Sequence, residues 1–225
     1  MSSCGEGWDG SPTFFEHALS LQGYTAVGGV DEAGRGPLAG PVVAACVVFS
    51  AQCEPSGYMD SKLLSPRQRA ALYEQLMASK ASYGIGMADA GEIDQINILQ
   101  ASLLAMLRAV NDCTAIAPDF LLVDGKFKVP HTLPQISLVQ GEQKSISIAA
   151  ASIVAKVTRD RLMAAYHRQY PCYGFISNQG YPTKAHRAAI AEYGPSPIHR
   201  MSFKGVREYD PQKNQAGRCQ QTSLW

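Results

Sequence analysis

Apolar and polar positions along this chain fall into short strand-like runs interleaved with helical spacings, and the region beyond the last such run is helical. Tyr24 to Asp31 is a run of small and β-branched residues that predicts a strand ending at Asp31-Glu32. Leu38 to Ser50, rich in Val and Ala, predicts a second, well-buried strand. Tyr83 to Asp89 predicts a third and Asp119 to Asp124 (DFLLVD) a fourth, closed by a carboxylate. Gln135 to Val139 predicts a shorter fifth.

Helical spacing accounts for most of the rest. Phe14 to Leu21 fits a short amphipathic helix. Ser65-Pro66 is a helix start, with Ser at the N-cap and Pro at the first position, leading into Gln68 to Ser79. From about Gln95 to Asn111, Ile98, Leu99, Ser102, Leu103, Met106 and Val110 share one broad face. Ala149 to Tyr170 is the longest helical pattern and Pro171 ends it. Thr183 can cap a last helix through Tyr193, with Gly194 beyond it. After Phe203 periodicity is lost and a flexible tail is expected. The order of elements predicts one α/β or α+β domain with a helical C-terminal region. Its parts would be an extension (1–23), a domain (24–203) and a tail (204–225).

Composition narrows the setting. The 225 residues are 46% apolar, enough for one sizeable core. No apolar run approaches the roughly 20 residues of a membrane span, and Met1 to Pro12 lacks the pattern of a secretory leader. Six scattered cysteines contain no Cys-x-x-Cys pair, so a zinc cage or disulfide framework is not expected. A reduced, cytoplasmic protein is the simplest reading. The net charge of +1 conceals a split: residues 1–155 hold nine basic against fifteen acidic side chains, residues 156–213 ten against four. That split suits a carboxylate site beside a surface for a polyanion, and it equally suits an ordinary solvated surface.

The acidic residues change the picture most. Asp31 and Glu32 end a strand just before Gly34-Arg35-Gly36, Asp124 ends another before Gly125, and Glu142 follows Gly141. Each alone reads as a turn or cap residue. Brought together they repel, and divalent cations with a taste for hard oxygen, Mg²⁺ or Mn²⁺, relieve that repulsion. Such ions suit phosphodiester cleavage. Glycines on both sides of Arg35 let the backbone approach a substrate closely, and Arg35 offers a charge-assisted contact to phosphate.

The run GGVDEAGRGPLAGPVVAA (Gly28 to Ala45) resembles the signature of the ribonuclease HII family. Further matches follow in order: Asp60-Ser61-Lys62, Glu92-Ile93-Asp94 with Asn97-Ile98, Val123-Asp124-Gly125, and Ala149 to Asp160. Gly180-Tyr181-Pro182-Thr183 and His199-Arg200 with Ser202-Phe203 complete the series, which covers about residues 24–203. The resemblance implies a ribonuclease H-like fold, a mixed central sheet flanked by helices. It also implies a metal site of four acids, Asp31, Glu32, Asp124 and Glu142, holding Mg²⁺ or Mn²⁺. Glu142 stands where the family usually has Asp, and Gln140 replaces a usual Lys.

Gly34, Arg35, Gly36 and Tyr181 match the positions that sense the ribose 2′-hydroxyl, the group that separates RNA from DNA at a given site. Tyr181 alone could simply pack over a turn. Lys62, Lys156, Arg159 and Lys184 are candidates for phosphate contacts, while Leu63 replaces a second Lys common in the family. Asp160 is placed on a helix surface or beside the site, and the five histidines lack ligand spacing and receive no catalytic role.

The implied activity is endonucleolytic: cleavage of the RNA strand of RNA–DNA hybrids and 5′ to ribonucleotides embedded in duplex DNA, leaving 3′-hydroxyl and 5′-phosphate ends. A ribonuclease HIII-like nuclease and a non-catalytic duplex-binding protein are the alternatives. A monomer is expected. The chain ends Gln221-Thr222-Ser223-Leu224-Trp225, which resembles the peptide by which bacterial repair proteins dock on the β sliding clamp. Gln221, Leu224 and Trp225 would be its anchors.

Overall fold

The computed structural model describes residues 8–50, 57–58 and 61–209. Five strands form one sheet in the order β3-β2-β1-β4-β5. They are β1 (Val27–Ala33), β2 (Val42–Val48), β3 (Ser82–Ala88), β4 (Phe120–Asp124) and β5 (Gln135–Leu138). β1, β2 and β3 pair antiparallel in succession, whereas β4 lies parallel to β1 and β5 parallel to β4. The sheet is therefore mixed. The helices are α1 (Phe14–Ser20), α2 (Pro66–Met77), α3 (Ala90–Asp112), α4 (Ile146–Gln169), α5 (Phe175–Asn178) and α6 (Lys184–Tyr193).

β2 shows why so little alternation is visible in its sequence. All seven of its residues are buried, because helices cover both faces. Val42, Ala44, Cys46 and Val48 face α3, packing with Val30, Ala101, Ala105 and Ala109. Ala45 and Val47 face α4, packing with Ala149, Ala150, Ile153 and Val154. Small residues let each helix backbone lie directly on the sheet. A Cβ at Gly86 would sit 2.1 Å from Ala105 O, and one at Gly29 would sit 2.1 Å from the Ser147 carbonyl carbon. No helix of the described residues is long and apolar enough to cross a membrane.

Several expected boundaries move, each for a local reason. β1 runs two residues past Asp31, so the acid lies within the strand. β2 is shorter than Leu38 to Ser50, because Gly40 takes φ 84° and Pro41 follows it. α3 starts at Ala90, since Asp89 and Glu92 cap it reciprocally. Asn97, at φ 66°, then kinks the helix, and its Oδ1 accepts from Leu99 N and Gln100 N to restart it. α4 starts at Ile146 rather than Ala149, with Ser145 Oγ accepting from Ile148 N.

α2 begins as expected, with Ser65 and Gln68 closing a capping box. The packed chain also continues past Phe203. Val206 is fully buried in a third cluster with Leu38, Met163, Phe175 and Ile190, and a 3₁₀ turn spans Arg207–Tyr209. Residues 204–209 are thus part of the fold and not of a flexible tail.

Candidate active site

Strand geometry brings the acids together. In β1, Gly29 lies under α4 and Val30 faces α3, so Asp31, two residues on from Gly29, returns to the α4 side. In β4, Leu122 packs with Ile148 of α4, and Asp124 follows with the same parity. β1 and β4 are adjacent and parallel, which puts both carboxylates at the same end of the sheet. Glu142 arrives on a 3₁₀ turn, Gly141–Gln143, entered through Gln140 at φ 57°. Gly141 N donates to Asp124 Oδ1 at 2.7 Å, and a Cβ at Gly141 would sit 2.7 Å from Ile148 Cδ1. The Gly-Glu step therefore locks one acid against another.

One oxygen each from Asp31, Asp124 and Glu142 lie within 4.8 Å of one another. Glu32 lines the same cavity of about 260 Å³ and accepts from Arg35 Nη1 at 3.3 Å, outside that triad. Burial pushes the Asp31 carboxyl well above the usual range, and the charges of Glu32, Asp124 and Glu142 push it further. Glu32 N donates to Asp31 Oδ1 at 2.7 Å and opposes the rise only in part. Burial raises Glu32 too, with Arg35 pulling the other way.

Positive charge is drawn to this cluster. Lys62 Nζ reaches Glu142 Oε1 at 2.6 Å, although the lysine side chain is otherwise exposed. Converging carboxylate oxygens, buried and mutually repelling, are the donor set that Mg²⁺ or Mn²⁺ prefers. The residues fit such ions. The extra methylene of Glu142 does not keep it from the other two acids.

The other expected residues divide. Gly34, Lys62, Lys156 and Tyr181 line the cavity with the acids. Gly36 borders it, since a Cβ there would lie 3.6 Å from Tyr181 Cε1. Lys156 is held by Asp160 at 2.7 Å, which gives Asp160 a place beside the site. Lys184, exposed on the first turn of α6, is outside the cavity lining.

Arg159 also lines the cavity, but it is 1% exposed and donates to the carbonyls of Pro41, Ala39 and Gln179, so in this structure its donors clamp the main chain. Asp60 and the C-terminal residues Gln221, Leu224 and Trp225 lie outside the described residues.

Sequence reasoning passed over several residues. Ser61 and Ser152 line the cavity, and Arg69 holds the Lys62 segment by donating to Ser61 O and Leu64 O. Asp94 accepts from Met201 N, Ser202 N and Ser202 Oγ, anchoring the segment that carries His199 and Arg200. Both of those side chains are buried, and His199 Nε2 meets His186 Nε2 at 3.0 Å. The matched motifs containing Asp94 and His199-Arg200 were the available signal.

Burial lowers both imidazoles, His199 from 6.5 to about 4 with the His186 charge adding to the effect. A histidine depressed on folding leaves stability untouched above 6.5, because both states are then neutral. Between 6.5 and about 4 the unfolded chain binds the extra proton, so stability falls with pH, by up to about 3 kcal/mol for His199. Denaturant midpoints at pH 7.5 and pH 5 are expected to differ, and His199→Gln to flatten the difference. Equal slopes in the variant and the unsubstituted protein would contradict this assignment.

A mixed sheet of this order, flanked by helices and carrying carboxylates at the ends of its central parallel pair, defines a nuclease of the ribonuclease H-like class. The family model for ribonuclease HII matches residues 28–206. Ribonuclease HII of Desulfotalea psychrophila is 55% identical over 208 residues, covering 91% of this chain and 92% of that protein. Ribonuclease HII of Bacillus licheniformis is 50% identical over 210 residues, covering 93% and 81%.

Among solved structures, ribonuclease H2 from Pyrococcus horikoshii superposes with a TM-score of 0.69 at 28% identity, over 84% of this chain and 99% of that one. Archaeoglobus fulgidus RNase HII, solved in complex with PCNA, shares the fold at a TM-score of 0.68 and 24% identity, over 80% and 95%. This chain belongs to the ribonuclease HII family. It is a ribonuclease H, an endonuclease acting on RNA–DNA substrates, of a divalent-metal-dependent family.

Proposed function

We propose that this enzyme cuts 5′ to ribonucleotides embedded in duplex DNA and hydrolyses the RNA strand of RNA–DNA hybrids, leaving 3′-hydroxyl and 5′-phosphate ends, by metal-ion catalysis. The observation that carries the reading is the triad of Asp31, Asp124 and Glu142 within 4.8 Å, opening on the cavity that Gly34 and Tyr181 also line. The three acids, with Glu32 beside them, would hold Mg²⁺ or Mn²⁺. When bound, such ions supply Lewis-acid chemistry, making water more acidic and offsetting negative charge on the leaving oxygen.

The chain's own groups do the rest. The Gly34-to-Gly36 loop and Tyr181 orient the ribose, so the phosphate on its 5′ side is the one presented to the acids. Lys62 and Lys156 place positive charge on the cavity wall where the nucleic-acid backbone lies. The setting is a cytoplasmic monomer engaged in removing misincorporated ribonucleotides.

The test is cleavage of three duplexes, with and without Mg²⁺ or Mn²⁺: one with a single ribonucleotide, one hybrid, and one all DNA. A nick 5′ to the lone ribonucleotide, present only with metal, is the expected result. Cutting restricted to long RNA tracts would point to a ribonuclease HIII-like specificity. Binding without cutting would mean a degenerate metal site.

Gln221, Leu224 and Trp225 are proposed to dock the β sliding clamp. An apolar pair at the end of a polar, Gln-rich segment is suited to fill a partner's pocket, and an archaeal relative in the same fold family has been solved with PCNA. Removing Leu224 and Trp225 is expected to abolish clamp binding in a calorimetric titration while sparing cleavage of naked duplex. Unchanged clamp affinity would refute it.

A further inference from the structure

We infer that His199 and Arg200, adjacent in the chain, are positioning residues that register the two halves of the sugar-reading surface against each other. Arg200 shapes the Gly34-Arg35 loop, and His199, acting through His186, holds Tyr181. The inference rests on the sugar-reading role proposed above for that surface.

Arg200 is fully buried, and its fork is spent on main-chain carbonyls. Nη2 donates to Gly34 O at 2.6 Å and to Gly40 O at 2.8 Å, Nη1 to Arg35 O at 3.0 Å, and Nε to Gly40 O at 3.0 Å. None of these acceptors is a carboxylate. A buried guanidinium without a bonded counter-charge is costly, and its return here is geometric: a rigid planar donor set fixes several carbonyls at once. Burial and the neighbouring Arg159 lower the group to about 9, which leaves it charged at neutral pH. A lysine would keep the charge and lose the fork.

On the other side, donor and acceptor roles follow from the atoms. Ser196 N donates to His199 Nδ1 at 2.9 Å, so that nitrogen is an acceptor and the proton of the neutral ring sits on Nε2. His199 Nε2 then donates to His186 Nε2 at 3.0 Å, which leaves His186 protonated on Nδ1. That Nδ1 donates to Tyr181 O at 2.9 Å. The relay runs one way, from Ser196 to the main chain of Tyr181, with Tyr173 and Phe175 packed against both rings.

The two arms meet. Arg200 N donates to Leu38 O, and Leu38 N donates to Gly180 O, both at 2.8 Å. A Cβ added at Gly36 would stand 3.6 Å from Tyr181 Cε1, so the loop and the tyrosine ring are neighbours with room for little more than a methyl group between them. One short segment therefore sets the spacing between loop and tyrosine.

The test separates positioning from mere support of the fold. In the full chain with Mn²⁺, on a duplex with one ribonucleotide, His199→Gln and Arg200→Lys are each expected to lower kcat by about 10- to 100-fold with KM nearly unchanged. Mn²⁺ affinity by calorimetry should stay as in the unsubstituted protein. In a Tyr181→Ala background, His199→Gln should cost nothing further. Full multiplicative losses in that double variant, or an Arg200→Lys protein that cuts like the parent, would overturn the inference. If Tyr181→Ala alone cuts like the parent, the sugar-reading role of Tyr181 fails and the inference falls with it. Should a variant not fold, nitrogen NMR of the parent decides: protons on Nδ1 of His186 and Nε2 of His199 are expected, and the opposite tautomers overturn the relay.

Discussion

With divalent cations chelated, a chain carrying Asp31→Asn is expected to melt a few degrees above the parent and, with Mg²⁺ restored, to turn over at least about 100-fold more slowly. Both halves come from one cause. The Asp31 carboxyl is buried and crowded by the charges of Glu32, Asp124 and Glu142, so its ionised form opposes folding until a cation arrives. Asparagine keeps an oxygen to accept from Glu32 N and sheds the charge. The same removal strips the triad of a ligand. Asp124→Asn should also lose turnover while retaining fold and duplex affinity. Differential scanning calorimetry with and without Mg²⁺ checks the first half, since the parent alone should gain stability from the ion by mass action. Substantial residual activity in either variant would contradict the ligand assignment.

Gly29→Ala is expected to cost at least about 3 kcal/mol and to leave little folded protein at 37 °C. The added Cβ would stand 2.1 Å from the Ser147 carbonyl carbon and 2.2 Å from Ile148 N, both main-chain atoms at the start of α4. Neither can turn aside as a side-chain tip would. Either β1 and α4 separate or the helix start unwinds, and both carry Asp31 away from Glu142. Chemical denaturation measures the loss. A midpoint within experimental error of the parent would show that the sheet and α4 are not held as closely as described.

Much of this was legible in the sequence because it is written locally. An apolar run closed by a carboxylate marks β4 and Asp124, and a Ser-Pro pair with Gln68 marks the start of α2. Asp89 and Glu92 spelled a capping box just as plainly, but Gly91 and the polar stretch to Asn97 obscured it. The start of α4 was hidden because all of residues 146–155 are buried, which leaves no polar face to betray its first turn. What could not be read was set by distance along the chain. Arg159 looked like a phosphate contact on a helix; only the packing of Ala39, Pro41 and Gln179 around it makes it a main-chain clamp. Likewise, nothing in the spacing of His186 and His199 announced that the fold would bring the two rings into a hydrogen bond.

The bond from Arg200 to Arg35 O spans 165 positions of chain, and the one to Gly34 O spans 166. On the ribosome, the loop emerges many seconds before the residue that gives it shape, at synthesis rates of about 5–20 residues per second. A nascent polypeptide therefore holds the Gly34-Arg35 loop long before the guanidinium that fixes its carbonyls has been made.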